Sequence, residues 1–236
     1  MSEWKARRFW ADATVEAVPA GHAVRLDGRP VRTPLKTELA VPSAALADGI
    51  AAEWRDQGDV VDPLSMPLTR AANATLDKVV PQRAEVAAGL AAYGASDLLC
   101  YRANGPEGLV ARQAEAWDPM LDWAAAHLGA RLTVTVGIMP APQPEVSLAA
   151  LRDRVDRLSP WELTALSEFV SLSGSLVLGL ATLDGRDPED MWSRSRVDEI
   201  WQAEQWGEDE EEAERIAVKR AAFLQARHYL DLVRAE

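Results

Sequence analysis

What this chain lacks narrows what it can be. It has a single cysteine, Cys100, so no disulfide can form within it, which fits a reducing compartment. Cys100 stands in the apolar run Leu98-Leu99-Cys100-Tyr101, where a buried and inert thiol is expected. The three histidines, His22, His127 and His228, are scattered, and none has another ligand-type residue at metal-binding spacing, so no metal is expected. There is no Gly-x-x-x-x-Gly-Lys phosphate loop and no Gly-x-Gly-x-x-Gly turn. No cofactor is implied. Positive charge is scarce: 25 Lys and Arg against 37 Asp and Glu leave a net charge of -12. That balance argues against nucleic acid and anionic membrane as partners, and leaves room for a basic protein partner. No apolar segment at the start looks like a signal peptide, and the opening MSEWKARRFW is too short for a cleavable presequence, so a cytoplasmic protein is expected.

What is present is a globular composition, 48% hydrophobic over 236 residues, enough for a substantial core. The core is expected to form around residues 159–183, SPWELTALSEFVSLSGSLVLGLATL. Ser159, Pro160 and Glu162 read as a capped helix start. Leu163, Leu166, Phe169, Val170, Leu176, Val177, Leu180 and Leu183 then mark a helix face. Glu162, Glu168 and the serines interrupt the run too often for a membrane span of about 20 apolar residues. Ser173-Gly174-Ser175 lacks the Gly-x-Ser-x-Gly form of a nucleophile turn, and close helix packing through Gly174 and Gly179 is the reading preferred here.

Before that stretch the pattern changes. Residues 14–18 alternate weakly, and two short strands flank Asp27-Gly28, whose positive φ values suit a two-residue hairpin turn. A further strand over residues 38–41 precedes a helix capped by Ser43, carrying Leu46, Ile50 and Trp54 and ended by Gly58. The prolines at 63 and 67 suggest a boundary. The expectation is an α+β protein: a small β-rich N-terminal domain over residues 1–65, then a larger, mainly α-helical domain over residues 66–236. In the latter, residues 132–136 look strand-like, Ser147 caps a helix, and Asp187 starts another that carries Met191, Trp192, Val197, Ile200 and Trp201. Trp206-Gly207 interrupts it, and the last helix opens near Glu208.

Candidate chemistry is thin. Glu199 and Glu204 could do acid–base work, which keeps a hydrolase with scattered carboxylates as an alternative, but Glu-rich helices produce such pairs by chance. No catalytic residue is assigned. The acidic run from Glu208 to Glu212 suits the positive end of a helix dipole, and Glu211 can pair with Arg215. Two features exceed that need. The run is dense, and it follows Trp201 and Trp206 in a chain with nine tryptophans but only three phenylalanines. An aromatic anchor beside charge is the composition of a protein-binding hot spot. Glu199, Glu204, Trp206 and Glu210 are therefore the candidate partner-binding residues. The competing reading has Trp206 buried, fixing two helices together.

Several stretches, in order, resemble one family. They are Arg8-Phe9-Trp10; Leu26-Asp27-Gly28-Arg29-Pro30-Val31-Arg32-Thr33-Pro34; Leu39-Ala40-Val41-Pro42-Ser43; Ala51-Ala52-Glu53-Trp54 with Gln57; Met66-Pro67-Leu68-Thr69 and Asp77; and Glu204-Gln205-Trp206-Gly207 with Glu210. They resemble the chaperones of mitochondria and α-proteobacteria that assemble the soluble catalytic sector of F-type ATP synthase. The resemblance implies a non-enzymatic protein without nucleotide. It would bind the free ATP synthase α subunit transiently, as a monomer, on the surface that later meets the β subunit. An enzyme, or a permanent subunit of a stable complex, are the rival classes.

Overall fold

The computed structural model describes residues 7–207 and 209–235, so the first six residues and Glu208 of the acidic run lie outside the described residues. The chain begins as β and becomes helical, an α+β architecture. Strand β1 (Ala13–Val18) pairs antiparallel with β2 (Gly21–Leu26), from Ala13 opposite Leu26 to Val18 opposite Gly21. Asp27 and Gly28 turn the chain with φ of 47° and 79°, both left-handed as the hairpin pattern requires. Strands β3 (Arg29–Pro30) and β4 (Ala40–Val41) share the other edge of β2. Across the sheet lies α1 (Ala44–Arg55), which buries Leu46, Ala47, Ile50 and Ala51. Ser43 caps it, its hydroxyl accepting from the Leu46 N–H at 3.1 Å. The helix stops at Arg55, before the expected Gly58.

Packing divides the chain into two compact units. Among the described residues the first comprises 7–83 together with 160–164 and 228–235, and the second comprises 84–159 with 165–227. Residues 62–67 fall within the first unit. There α2 (Pro67–Ala74) runs into one wide π turn over Thr75–Val79. The motif residues that carry the resemblance hold this unit together. The Glu53 carboxylate accepts from the Leu68 and Thr69 N–H groups at 2.6 and 2.8 Å, capping α2 from a distance. Gln57 bonds to Glu53, Ser65 and Asp62. Asp77 accepts from the Thr33 hydroxyl at 2.6 Å and the Leu35 N–H at 3.0 Å, fastening the end of the hairpin. Trp10 stands edge-on to Trp54 and donates to the Trp54 carbonyl at 3.2 Å.

The second unit contains α3 (Arg83–Ala92, less its first residue), β5 (Tyr101–Arg102), α4 (Glu107–Trp123), β6 (Thr135–Val136) and α5 (Glu145–Asp156). It continues with α6 (Pro160–Ser173, from Ala165 on), α7 (Leu176–Leu183), α8 (Pro188–Arg194), α9 (Val197–Trp206) and α10 (Glu210–Arg234, up to Arg227). Phe169, Trp192 and Phe223 meet at its centre.

Three expectations are corrected here. The core stretch forms two helices. Gly174 takes φ of 74°, and Ser175 caps α7 by accepting from the Leu178 N–H at 3.0 Å. Gly174 therefore serves the break rather than close packing: the nearest atom to an added Cβ would be Leu98 Cβ at 3.9 Å. Ser147 does not cap α5. The helix starts three residues earlier than that cap would place it, after Pro144, and the Ser147 hydroxyl donates to the Arg131 carbonyl at 2.7 Å. The Asp187 helix ends at Arg194, and Val197, Ile200 and Trp201 belong to α9.

Gly179 does serve close approach. A Cβ there would stand 2.9 Å from Val170 Cγ2 and 3.1 Å from Leu166 Cδ1. Gly179→Leu should therefore overpack the α6–α7 contact and destabilise by about 1–3 kcal/mol. The check is a urea midpoint, expected to fall with the slope of the transition unchanged. An unaltered midpoint would mean that the helices separate freely at this point.

Candidate functional site

The candidate residues sit on α9 and the first turn of α10. Helix α9 buries no residue fully. It is held to α4 by polar and ring contacts. Buried Gln113 donates to Asp198 at 2.7 Å and accepts from the Ala103 N–H at 2.8 Å. Trp201 lies over Gly108, where an added Cβ would come within 2.6 Å of the indole, and Arg112 stacks over the same ring at 4.9 Å. These contacts orient α9 and leave its far end bare.

The four candidates divide into two pairs. Glu204 is engaged by Arg112 at 2.7 Å, and Glu199 by Arg196 at 2.8 Å. Arg196 is further fixed by the Leu172 carbonyl, the Ser195 hydroxyl and the Trp192 ring. Both carboxylates are thus neutralised within the chain. Trp206 and Glu210 are free. Trp206 is 78% exposed, which overturns the reading of a buried tryptophan. Glu210 is exposed and has no ion-pair partner among the described residues. Between them Gly207 ends α9 with φ of 92°, and Asp209 caps α10 by accepting from the Glu211 and Glu212 N–H groups. Arg215 pairs with Glu212 at 3.2 Å and with Glu211 at 3.7 Å, so those two acids serve the helix start.

An open groove of about 380 Å³ lies between α4, α8 and the first part of α9, lined by Arg112, Glu115, Asp190, Arg194 and Ile200 among others. Ile200 is exposed, although its place in the helical pattern suggested an inward face. Its departure was not signalled by spacing, because α9 has too few neighbours to give it an inner side.

The arrangement offers binding surface and little chemistry. Among the described residues no three His, Cys, Asp or Glu side chains cluster as metal ligands would, and no helix is long and apolar enough to cross a membrane. Cys100 is buried, and burial with the nearby Asp97 charge pushes its thiol up to about 12, leaving it unreactive at neutral pH. The hydroxyls of the Ser173-Gly174-Ser175 turn are committed, Ser173 to the Phe169 carbonyl at 2.6 Å and Ser175 to Asp97 at 2.8 Å.

Comparison with known proteins gives a consistent pattern. Residues 7–125 match the model of a family described as ATP12 chaperone protein. The mitochondrial protein atp12 of Schizosaccharomyces pombe is 25% identical over 214 residues, covering 85% of this chain and 74% of the yeast protein. The crystal structure of Atp12 from Paracoccus denitrificans superposes with a TM-score of 0.95 at 50% identity, covering 98% of this chain and all of that one. A structure from Agrobacterium tumefaciens gives 0.89 at 42% identity, over 95% of this chain and 84% of the other.

Proposed function

The chain belongs to the ATP12 chaperone family, and on that premise we propose that it assists assembly of F-type ATP synthase by binding the unassembled α subunit. In this reading it covers the face of the α subunit that later contacts the β subunit, and releases it when the β subunit arrives. The family is one of chaperones rather than enzymes, so the hydrolase alternative is set aside. The observation that carries the reading is the exposed indole of Trp206 at the end of α9, with the unpaired carboxylate of Glu210 four residues on in the first turn of α10.

A subunit awaiting its neighbour exposes an interface that is more apolar than ordinary surface and aggregates when left bare. Its cover must bind firmly yet let go. An aromatic anchor gives affinity, and an acidic rim facing arginine or lysine gives rapid, salt-sensitive association. Glu199 and Glu204 contribute by holding α9 in place through Arg196 and Arg112, and contact the partner only if those internal pairs exchange. The protein works as a cytoplasmic monomer with a transient complex, and without cofactor.

The test is charge reversal. Glu210→Lys should leave the circular dichroism spectrum and urea midpoint unchanged, and weaken capture of isolated α subunit at least tenfold, about 1.4 kcal/mol. The loss should shrink as salt rises. Equal affinities at low salt would remove Glu210 from the surface.

A further inference from the structure

The first unit carries a small hairpin tip of opposite charge to the end of α9. Arg32 bridges Glu38, and the Leu39 N–H donates to the Val31 carbonyl at 2.9 Å. Between them the chain turns over Thr33-Pro34-Leu35-Lys36. The Lys36 N–H donates to the Thr33 carbonyl at 2.9 Å, and the Thr33 N–H to the Thr37 carbonyl at 2.8 Å. Pro34 sets φ at the second position of this turn. Lys36 follows with φ of 73°, the left-handed place where a three-residue loop ordinarily has glycine. The tip is braced from beneath. The buried Thr33 hydroxyl accepts from the Thr37 N–H at 3.1 Å and donates to Asp77 at 2.6 Å. The second Asp77 oxygen accepts from the Leu35 N–H at 3.0 Å. The Leu35 side chain, so fixed, is 70% exposed. The Arg32 guanidinium donates to the Lys36 carbonyl at 2.8 Å. Neither Arg32 nor Lys36 has an ion-pair partner among the described residues, whereas Arg25 of β2 is matched by Glu16 and Glu38.

We propose that this tip is a second anchor for the unassembled α subunit, with Leu35 entering an apolar pocket whose rim carries carboxylates that meet Arg32 and Lys36. The inference rests on the α-subunit reading above. A lone exposed leucine is ordinary on a protein surface. This one is held rigid, which lowers the ordering cost of binding, and it stands beside a lysine kept where glycine would relieve the backbone. Strain of that kind persists where the side chain has a use. Charge names the occupant. Two unmatched cations in a chain of net charge -12 are too few to hold a bilayer or a nucleic acid, and they suit a few carboxylates on a protein. Size asks for such a site. A stable interface buries about 800 Å² a side, and one tryptophan supplies at most about 250 Å² of it. Trp206 with Glu210 and Leu35 with Lys36 would select patches of opposite charge on one client.

The experiment measures binding isotherms of the full chain with isolated α subunit, beside urea midpoints. Lys36→Gly removes the charge and frees the backbone, so its midpoint should stay or rise while binding weakens at least threefold, a loss that shrinks as salt increases. Leu35→Ser keeps the N–H bond to Asp77 and should weaken binding at least tenfold. Combined with Trp206→Ala, each loss should multiply, as for independent contacts. If Leu35→Ser unfolds, Lys36→Gly decides. Wild-type binding by Lys36→Gly and Leu35→Ser, with Trp206→Ala weakened, would overturn this inference alone. Absence of binding by the wild type would overturn the α-subunit reading together with it. A concentration-dependent dimer in sedimentation that Lys36→Glu abolishes would assign the tip to a second copy and overturn the inference.

Discussion

Asp97→Ala should destabilise the protein by about 3–5 kcal/mol, more than any surface change. The Asp97 carboxylate is completely buried. One oxygen accepts from the Ser175 hydroxyl at 2.8 Å and the Leu99 N–H at 3.1 Å, and the other from the Val177 N–H at 3.0 Å. It thus caps α7 and the short turn over Leu98–Cys100 together. Alanine would strand two N–H groups and a hydroxyl where no water reaches them, each costing about 1–3 kcal/mol. Burial pushes the Asp97 carboxyl above its ordinary value, against the opposing pull of the Val177, Ser175 and Leu99 hydrogen bonds. A carboxyl whose folded pKa is raised binds more protons folded than unfolded, so stability falls as pH rises from the unfolded value of 3.8 through the raised one. The stability gap between wild type and Asp97→Ala should therefore be widest in acid and narrow with rising pH. Urea titrations across that range supply the measurement. A gap below about 1 kcal/mol at neutral pH would mean that neighbouring groups replace the lost bonds.

Asp97 also shows where sequence reading reached its limit. Its role depends on partners 78 to 80 residues away, and nothing local to Ser96-Asp97-Leu98 indicates them. The Ser-Gly-Ser turn was visible as an interruption, but apolar spacing continued through it, so one helix was expected where Gly174 permits two. Short-range signals fared better. Asp27-Gly28 is a hairpin turn and Ser43 is a cap. Ser147 misled because a serine before apolar spacing is ambiguous when Pro144 can open the same helix.

The motif residues behind the resemblance turn out to be of two kinds. Glu53, Gln57 and Asp77 are spent on hydrogen bonds inside the first unit. They identify the fold by holding it from within. Of the C-terminal motif, Glu204 is likewise committed, while Trp206 and Glu210 are left over. Composition pointed to this end of the chain, but only side-chain placement separates the carboxylates that brace α9 from the one that is free. The strand-like residues 132–136 are legible in the sequence, but that only Thr135–Val136 pair, and with β5, is visible only once the partner strand is known.

Trp206→Ala should then cost α-subunit binding about 2–4 kcal/mol and leave folding untouched within about 0.5 kcal/mol. The indole is 78% exposed and makes no ring contact among the described residues, so its removal exposes no core and leaves no cavity. Gly207 ends the helix immediately after it, which sets the side chain at the tip of α9 rather than along a packed face. A tryptophan kept in water gains by burial against an apolar pocket of a partner, and truncating such an anchor removes most of that gain. Trp201→Ala is the matched control. Its ring is packed on Gly108 and beneath Arg112, so that variant should lose folding stability and bind less only because α9 loosens. Isotherms with isolated α subunit, read beside urea midpoints, separate the two. If Trp206→Ala binds as wild type while remaining folded, the tip of α9 is not the anchor, and capture must be sought elsewhere.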